Sequence, residues 1–362
     1  LDVQTGGNAQ EDKDMPIFTP EQLHHTGVAL FRAAGASAEE AQIVVEHLVG
    51  ANLAGHDSHG MILLPTYIAR MKRGDIVPGA PMTIEQETPT SARINGNWGF
   101  GYVVTTRAME MAIAKAKAHQ VAAMTIYQQS HVGRVADYPL MAARAGMIGL
   151  MTCDSGRGPK AVVPFGGRQA RLGTNPISVA FPSDLEGPIF LDMATSAVAA
   201  GKLSVQRNRR QPAPPGWIVD KDGNPTTDVE AYYAGGAILP MGGDQAHKGY
   251  VLSFMVETLS GILTGLGFGV SPTGRHNDGT FLAVFDVNAF LPLEKFKRDI
   301  ADFVAYLKAT PPAAGFTEVL YPGELEYRTA QQRRRDGIYI EDETWNQITA
   351  LQKEYGLPAS VS

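Results

Sequence analysis

Polar and apolar positions follow two rhythms along this chain, and the rhythm changes near residue 120. Before that point apolar residues recur at helical spacing. Thr19-Pro20-Glu21-Gln22 supplies a cap, a proline for the first turn and a glutamine three residues after the cap, so a helix runs from there to about Ala34. Ser37-Ala38-Glu39-Glu40 repeats the signal ahead of Ile43, Val44 and Leu48, and predicts a second helix that Gly55 can end. Ser58 is placed to cap a third, carrying Leu64, Ile68 and Met71 with Pro65 near its first turn. Strand-like pieces at 82–87 and 91–94 come next, then a helix over 102–118.

From Val121 the texture becomes that of a mixed α/β lobe. "VAAMTIY" reads as a buried strand, "ADYPLMAARAG" as a helix ending at Gly146, and "MIGLMTC" as another strand. Residues 154–173 are loop-like and rich in glycine, and "NPISVAFP" and "GPIFLDMATS" are further strands. "RRQPAPPGWIVDKDGNPTTD" reads as a surface excursion. "HKGYVLSFMVETLSGILTG" is helical and apolar nearly all round, which predicts a central, buried helix. "GTFLAVFDV" reads as a core strand, 293–308 as a helix, and 342–355 as the last helix.

With 362 residues, 44% hydrophobic and 19% charged, the chain can bury a large core and divide into two lobes. The net charge of −6 argues against binding nucleic acid without sequence preference. One cysteine, Cys153, excludes an intrachain disulfide and a multi-cysteine zinc site. No apolar run approaches the ~20 residues that span a bilayer. The polar, acidic stretch 1–14 lacks the order of a signal peptide and reads as a disordered leader, so a cytoplasmic protein is expected.

Several familiar site motifs are missing. "GNWGFGYVV" and "GLGFGV" both fail the G-x-G-x-x-G pattern, and neither a P-loop nor a G-x-S-x-G elbow occurs. Four polar islands stand against apolar flanks instead: His56-Asp57-Ser58-His59, Ser130 to Arg134, Leu191 to Ser196, and His247-Lys248-Gly249-Tyr250. Three of them carry histidine, whose ordinary pKa lies closest to neutrality. Each has a plain alternative. Ser58 can be only a helix cap, and His59 reads equally as a structural histidine or a neutral site imidazole. His131 follows a strand on a loop, a common setting for site residues. Asp192 ends an apolar run, where it serves either a site or a helix cap. His247-Lys248 opens a helix and suits an anion, or is simply a solvated start. A metal held by His56, Asp57 and His59 is disfavoured, because glycines on both sides break the helix that would align them.

Taken together the islands are recognisable. "GHDSHG…Y", "SHVGR", "PFGGRQARLGTNP", "LDMATSAVAAGK", "PPGWIVDKDGNPTTD", "ILPMGGDQAHKGY" and "LYPGE" occur in order and cover nearly everything from Met15 onward. The chain thereby resembles the malate/L-lactate dehydrogenase family that lacks a Rossmann fold, and within it the bacterial hydroxycarboxylate dehydrogenases. The resemblance implies a mixed α/β fold with a largely antiparallel nucleotide-binding sheet over 121–289. A helical substrate and dimerisation lobe would come from 15–120 with 290–362. It implies a homodimer, no membrane or nucleic-acid partner, and NAD or NADP as cofactor.

By position, the resemblance puts Gly133, Arg134, Val135, Ser155, Phe190, Leu191, Asp192, Met193, Ala194, His247, Lys248, Asn277 and Gly323 around the cofactor, with His59 near the nicotinamide. Ser58, His59, Arg134, Thr174 and Asn175 would touch substrate. His131 is taken as the acid/base, with His59 and Asp192 as partners in positioning; His59 is the other candidate for the proton. The chain departs from the family at Leu63, where many members carry an arginine that clamps the substrate carboxylate. Another cation, Arg134 being the candidate, has to take that role. The loss favours a 2-oxo acid with an apolar or aromatic tail. A cyclic-imine reductase is the first alternative, and a metal-dependent hydrolase or lyase the remote one.

Overall fold

The computed structural model describes residues 16–154, 156, 158–270 and 275–358, so the expected leader and Ser155 lie outside the described residues. Ile17–Phe18 (β1) leads into Pro20–Ala33 (α1), where the Thr19 hydroxyl accepts Gln22 N–H at 3.2 Å and Gln22 Oε1 accepts Thr19 N–H at 2.7 Å. Ser37 and Glu40 build the same reciprocal cap on Ala38–Leu53 (α2). Each box satisfies two backbone donors that a helix start leaves open.

The third helix departs from the expectation. Ser58 caps nothing: it lies in a 3₁₀ turn, Asp57–His59, with its hydroxyl 3.0 Å from Nδ1 of His59. A second 3₁₀ turn, Met61–Leu63, intervenes before Leu64–Lys72 (α3), which has no side-chain cap and carries Pro65 in its first turn. The cause is Asn52 beneath. Its Oδ1 accepts Met61 N–H at 2.8 Å, and a Cβ on Gly60 would come within 2.2 Å of that oxygen. The chain must double back over an amide that only glycine can cover.

Thr83–Glu87 (β2), Ser91–Asn95 (β3), Gly101–His119 (α4), Val121–Tyr127 (β4), Asp137–Arg144 (α5) and Met147–Cys153 (β5) follow. Ile177–Phe181 (β6) and Ile189–Met193 (β7) precede the excursion, which holds Ala200–Asn208 (α6), Ile218–Val219 (β8), Pro225–Thr226 (β9), Val229–Tyr233 (α7) and Ala237–Ile238 (β10). Ala246–Val256 (α8) runs into a π-helical turn, Glu257–Ile262, ahead of Thr280–Asp286 (β11). Leu293–Lys308 (α9), Glu324–Asp336 (α10), Ile338–Tyr339 (β12) and Asp342–Glu354 (α11) close the chain.

The main sheet has the order β2-β3-β4-β11-β5-β6-β7, and every pairing except β3 with β4 is antiparallel. The fold is therefore mixed α/β on a largely antiparallel sheet, as expected. β2 and β3 belong to this sheet, although they precede residue 120. Leu23, Leu30, Phe31, Leu48 and Leu64 form a helical core with Ile348 of α11, while Ile94, Met109, Met124, Met151 and Leu282 form the sheet core. A smaller core of Val162, Leu203, Ile218 and Ile238 lies under the excursion.

α8 is not central. Val251, Phe254 and Met255 are each at least 50% exposed, as are Ile262 and Leu263 beyond them. Only the stripe through Gly249, Ser253 and Val256 faces the protein. An apolar surround therefore did not mean burial within one chain. No described helix is long and apolar enough to cross a membrane.

Candidate active site

The turn at Asp57–His59 and the loop after β4 bring two histidines together. The rings of His59 and His131 stack with centroids 6.0 Å apart and planes 23° from parallel. Both are residues singled out from sequence. Burial pushes both imidazoles towards the neutral form, His131 down to about 3; neighbouring basic groups add to it, while Asp278 opposes it at His131 and Asp137 at His59. For His59 the basic groups are His56 and Arg134, so its neutrality comes from enclosure and charge rather than from a helix end.

Three supports fix the pair. Behind His131, the Tyr67 hydroxyl lies 2.6 Å from Nδ1 and 3.1 Å from the Tyr102 hydroxyl, with Tyr67 supplied by α3 and Tyr102 by α4. Burial raises both phenols, so they keep their protons. Below His59, Arg333 of α10 forks onto the Asp57 carboxylate at 2.6 and 3.0 Å and also donates to the Asn52 carbonyl. Beside His131, Asp278 accepts Val132 N–H at 3.1 Å and lies 2.7 Å from Nε2 of His276. The His276 ring meets His131 edge-on at 5.6 Å. Asp278 raises the His276 pKa, while burial opposes.

His276 and Asp278 went unread in the sequence, and Tyr67 stood only as the closing letter of the "GHDSHG…Y" motif, with no role. Tyr67 follows Leu64 and Pro65 in what looks like ordinary helix text, and only its place one turn along α3 gives it a role.

Asp192 stands at the end of β7, caps no helix, and is tied to the other side of the same loop. Its Oδ2 accepts Ala136 N–H at 2.9 Å, and burial raises its pKa to about 6. It is not the group that holds His131. Arg134 donates to Asp137 at 2.9 Å and lies over the Phe190 ring at 5.1 Å, and the other Asp137 oxygen meets Nδ1 of His47 at 3.0 Å. Arg134 is thus already paired, which weakens it as the substrate clamp. Gly133 has φ +72°, and a Cβ there would land 2.2 Å from the Tyr102 ring.

The other expected residues divide. The Val135 side chain is buried in the sheet core, leaving only its backbone for a ligand. Phe190 is buried, Leu191 exposed, and Met193 and Ala194 lie between. Gly323 packs against Phe190, with space for no Cβ. Asn277 spends its Oδ1 on Gln128 N–H at 2.7 Å. Thr174 accepts Thr195 N–H at 2.9 Å, and Asn175 donates to Glu257 at 2.9 Å, so both serve the join between β7 and α8. His247 and Lys248 are exposed, with His247 edge-on to Phe165 at 5.8 Å. Among the described residues no hydrogen bond, ion pair or ring contact links either to the histidine pair.

The mixed α/β fold on a largely antiparallel sheet agrees with the comparisons. The profile of the malate/L-lactate dehydrogenase family matches residues 18–349. The chain belongs to this family. Malate/(S)-sulfolactate dehydrogenase of Methanothermus fervidus is 36% identical over 347 residues, 94% of this dehydrogenase and 98% of its relative. Hydroxycarboxylate dehydrogenase B of Escherichia coli K12 is 33% identical over 348 residues, 94% and 95% of the two chains. Malate dehydrogenase from Entamoeba histolytica superposes with a TM-score of 0.91 at 31% identity, covering 96% and 99%. The delta1-piperideine-2-carboxylate reductase from Pseudomonas syringae superposes at 0.81 with 29% identity, covering 93% and 99%. The chain is accordingly an oxidoreductase.

Membership implies a nicotinamide cofactor, and the dehydrogenase has residues that fit one. A cleft of about 590 Å³ is lined by Arg134, Asp137, Phe190 and Tyr327 among others; Arg134 joins it to the loop of His131, though neither His59 nor His131 lines it. Arg134 Nε is buried and has no hydrogen-bond partner among the described residues, so the guanidinium retains a donor for an anionic group such as a cofactor phosphate. Among the described residues no three histidine, cysteine or carboxylate side chains converge as a metal-holding group.

Proposed function

We propose that the protein interconverts a 2-hydroxy acid and its 2-oxo acid with NAD or NADP, and that His131 handles the proton. The observation that carries this reading is the chain His131–Tyr67–Tyr102 behind an imidazole whose other nitrogen is left for substrate. The cofactor, when bound, accepts or supplies the hydride at substrate C2. In the oxidising direction, Nδ1–H of His131 donates to the Tyr67 oxygen, and Tyr67 donates in turn to Tyr102. Nε2 then holds a free lone pair and takes the hydroxyl proton as hydride leaves. In reduction the same nitrogen returns the proton to the carbonyl oxygen, a step worth roughly a hundred- to ten-thousand-fold in rate.

His59, stacked on His131, shields one face of the site and orients substrate and nicotinamide, with Ser58 beside it. Arg134, Asp192 and the backbone from Gly133 to Val135 line the cofactor side, along with Phe190 to Ala194 and Gly323. His247 and Lys248 meet cofactor phosphate only if another part of the assembly completes their site. We read 15–120 with 290–362 as the substrate and dimer lobe. The exposed apolar face of α8 supports a homodimer, with a second copy of this chain as its cover. We assign the enzyme to the cytoplasm.

Leu63 is part of the helical core surface, which supports a substrate with an apolar or aromatic tail. A cyclic-imine reductase is the second reading, favoured by the structural likeness to the piperideine carboxylate enzyme. The test is a panel of 2-oxo acids and cyclic imines assayed with NADH and NADPH. Reduction of phenylpyruvate-type acids supports the first reading, and turnover of Δ1-piperideine-2-carboxylate alone supports the second. Protein that neither binds nor oxidises either cofactor overturns both.

A further inference from the structure

A substrate with adjoining carboxylate and carbonyl carbons needs a cation within a few ångströms of the proton-handling nitrogen. The buried and half-buried basic groups differ in what they already hold. Arg134 is committed to Asp137 and Phe190, and His276 to Asp278. Arg275 donates to the Gly74 and Asp75 carbonyls and lies 3.9 Å over the Trp98 ring. Lys160 donates to the Gly156 carbonyl at 2.7 Å and faces Glu257 at 3.5 Å.

Arg70 is different. It lies one turn after Tyr67 on α3, with its guanidinium carbon 6.0 Å from the centre of the Tyr67 ring. Its Nη1 is buried and has no hydrogen-bond partner among the described residues. A buried guanidinium nitrogen without an acceptor is costly unless a ligand supplies one. Tyr67 is the residue that holds His131, so Arg70 and the imidazole flank the same phenol. Its charge is felt by both His131 and His276, where it favours the neutral imidazole.

Resting on the dehydrogenase reading above, we propose that Arg70 is the carboxylate anchor of this enzyme, taking from α3 the role that Leu63 cannot fill. Leu63 and Arg70 are seven residues, two helical turns, apart, so the substitute cation arises from the same segment of chain. Two parallel N–H donors of a guanidinium match the two oxygens of a carboxylate. The bound anion cancels part of the positive field on His131, so substrate itself makes the imidazole easier to protonate when the carbonyl must be reduced.

The test compares wild type, Arg70→Met and Arg70→Lys. Calorimetry with oxamate, a non-reacting 2-oxo acid analogue, is run on cofactor-loaded protein. KM is measured for a 2-oxo acid and for the corresponding neutral 2-oxo amide. We expect Arg70→Met to weaken oxamate binding and raise KM for the acid at least thirtyfold. KM for the amide and for reduced cofactor should stay within threefold, and Arg70→Lys should fall between. Equal oxamate affinity in wild type and Arg70→Met, or an unchanged preference for acid over amide, overturns the assignment while leaving the dehydrogenase reading standing. Should Arg70→Met not fold, Arg70→Lys decides by the same ratio of acid to amide. Wild-type protein that neither binds oxamate nor reduces any 2-oxo acid overturns the dehydrogenase reading, and this assignment with it.

Discussion

Tyr67 and His131 meet at 2.6 Å through a phenol and an imidazole nitrogen, where a catalytic triad would use a carboxylate. A protonated phenol fixes the ring and its tautomer without adding negative charge, so on the mechanism proposed above it orients His131 but stabilises imidazolium weakly. Tyr67→Phe should lower kcat about tenfold to a hundredfold and leave cofactor affinity within twofold. His131→Ala should lower kcat by a hundredfold or more, also with cofactor affinity retained. Steady-state kinetics with fluorescence titration of NAD(P)H checks both. Near-normal turnover in His131→Ala would transfer the proton to His59.

The histidines of the site should titrate apart. In ¹³C-histidine NMR of the free protein, His131 stays neutral as pH falls through 6.5, its change lying near 3, and His59 also titrates below its ordinary range. His276, beside Asp278, keeps its proton to higher pH. The unfolded chain takes up protons on His131 and His59 that the folded one declines, so this pair contributes stability above about pH 6.5 that fades as pH falls towards 3. A His131 resonance moving with a midpoint near 6.5 would contradict this.

Asp154 works in the opposite sense. Burial and the neighbouring Glu257 raise its pKa to about 7, although Gly156 and Gly279 N–H groups donate to Oδ1 at 2.8 and 3.1 Å. Between about pH 4 and 7 the folded state keeps a proton that the unfolded state has lost, so stability falls as pH rises across that window. Asp154→Asn keeps an acceptor for both amides and removes the buried charge. Its melting temperature should exceed wild type by a few degrees at pH 8 and match it at pH 5. A variant less stable at both pH values would show that the charge is needed.

The exposed side of α8 gives a test of assembly. Phe254 and Met255 are 52% and 50% exposed in the single chain. If the proposed homodimer forms through this face, wild type should have twice the chain mass in light scattering, and Phe254→Arg with Met255→Asp should halve it without loss of secondary structure. A wild type of single-chain mass, or a variant of unchanged mass, would overturn this placing of the dimer contact.

Much of the fold was legible because local signals agreed with tertiary demands. The capping boxes at Thr19 and Ser37 formed as read, and β4 and β5 occupy the stretches whose apolar runs marked them. Ser58 failed as a cap because Asn52, six residues upstream, imposed a tight reversal that no local pattern shows. α8 misled because an apolar surround does not say whether the cover comes from the same chain. α10 went unread: its run of arginines looks like solvated text, yet Arg333 reaches Asp57 across 276 residues. His59 and His131 were visible as polar islands, whereas Tyr67, Asp278 and Arg70 matter only through where the fold delivers them.

β11 lies between β4 and β5, yet it is made more than 120 residues after β5. During synthesis the sheet therefore waits with its middle open, its two halves exposing backbone edges that invite wrong pairings. Asp278, which holds Val132 next to His131, arrives with that same strand. Emergence of the last quarter of the polypeptide thus closes the sheet and fixes the loop that carries His131 in one event, and a truncated chain ending before residue 278 should be both aggregation-prone and, on the function proposed above, inert.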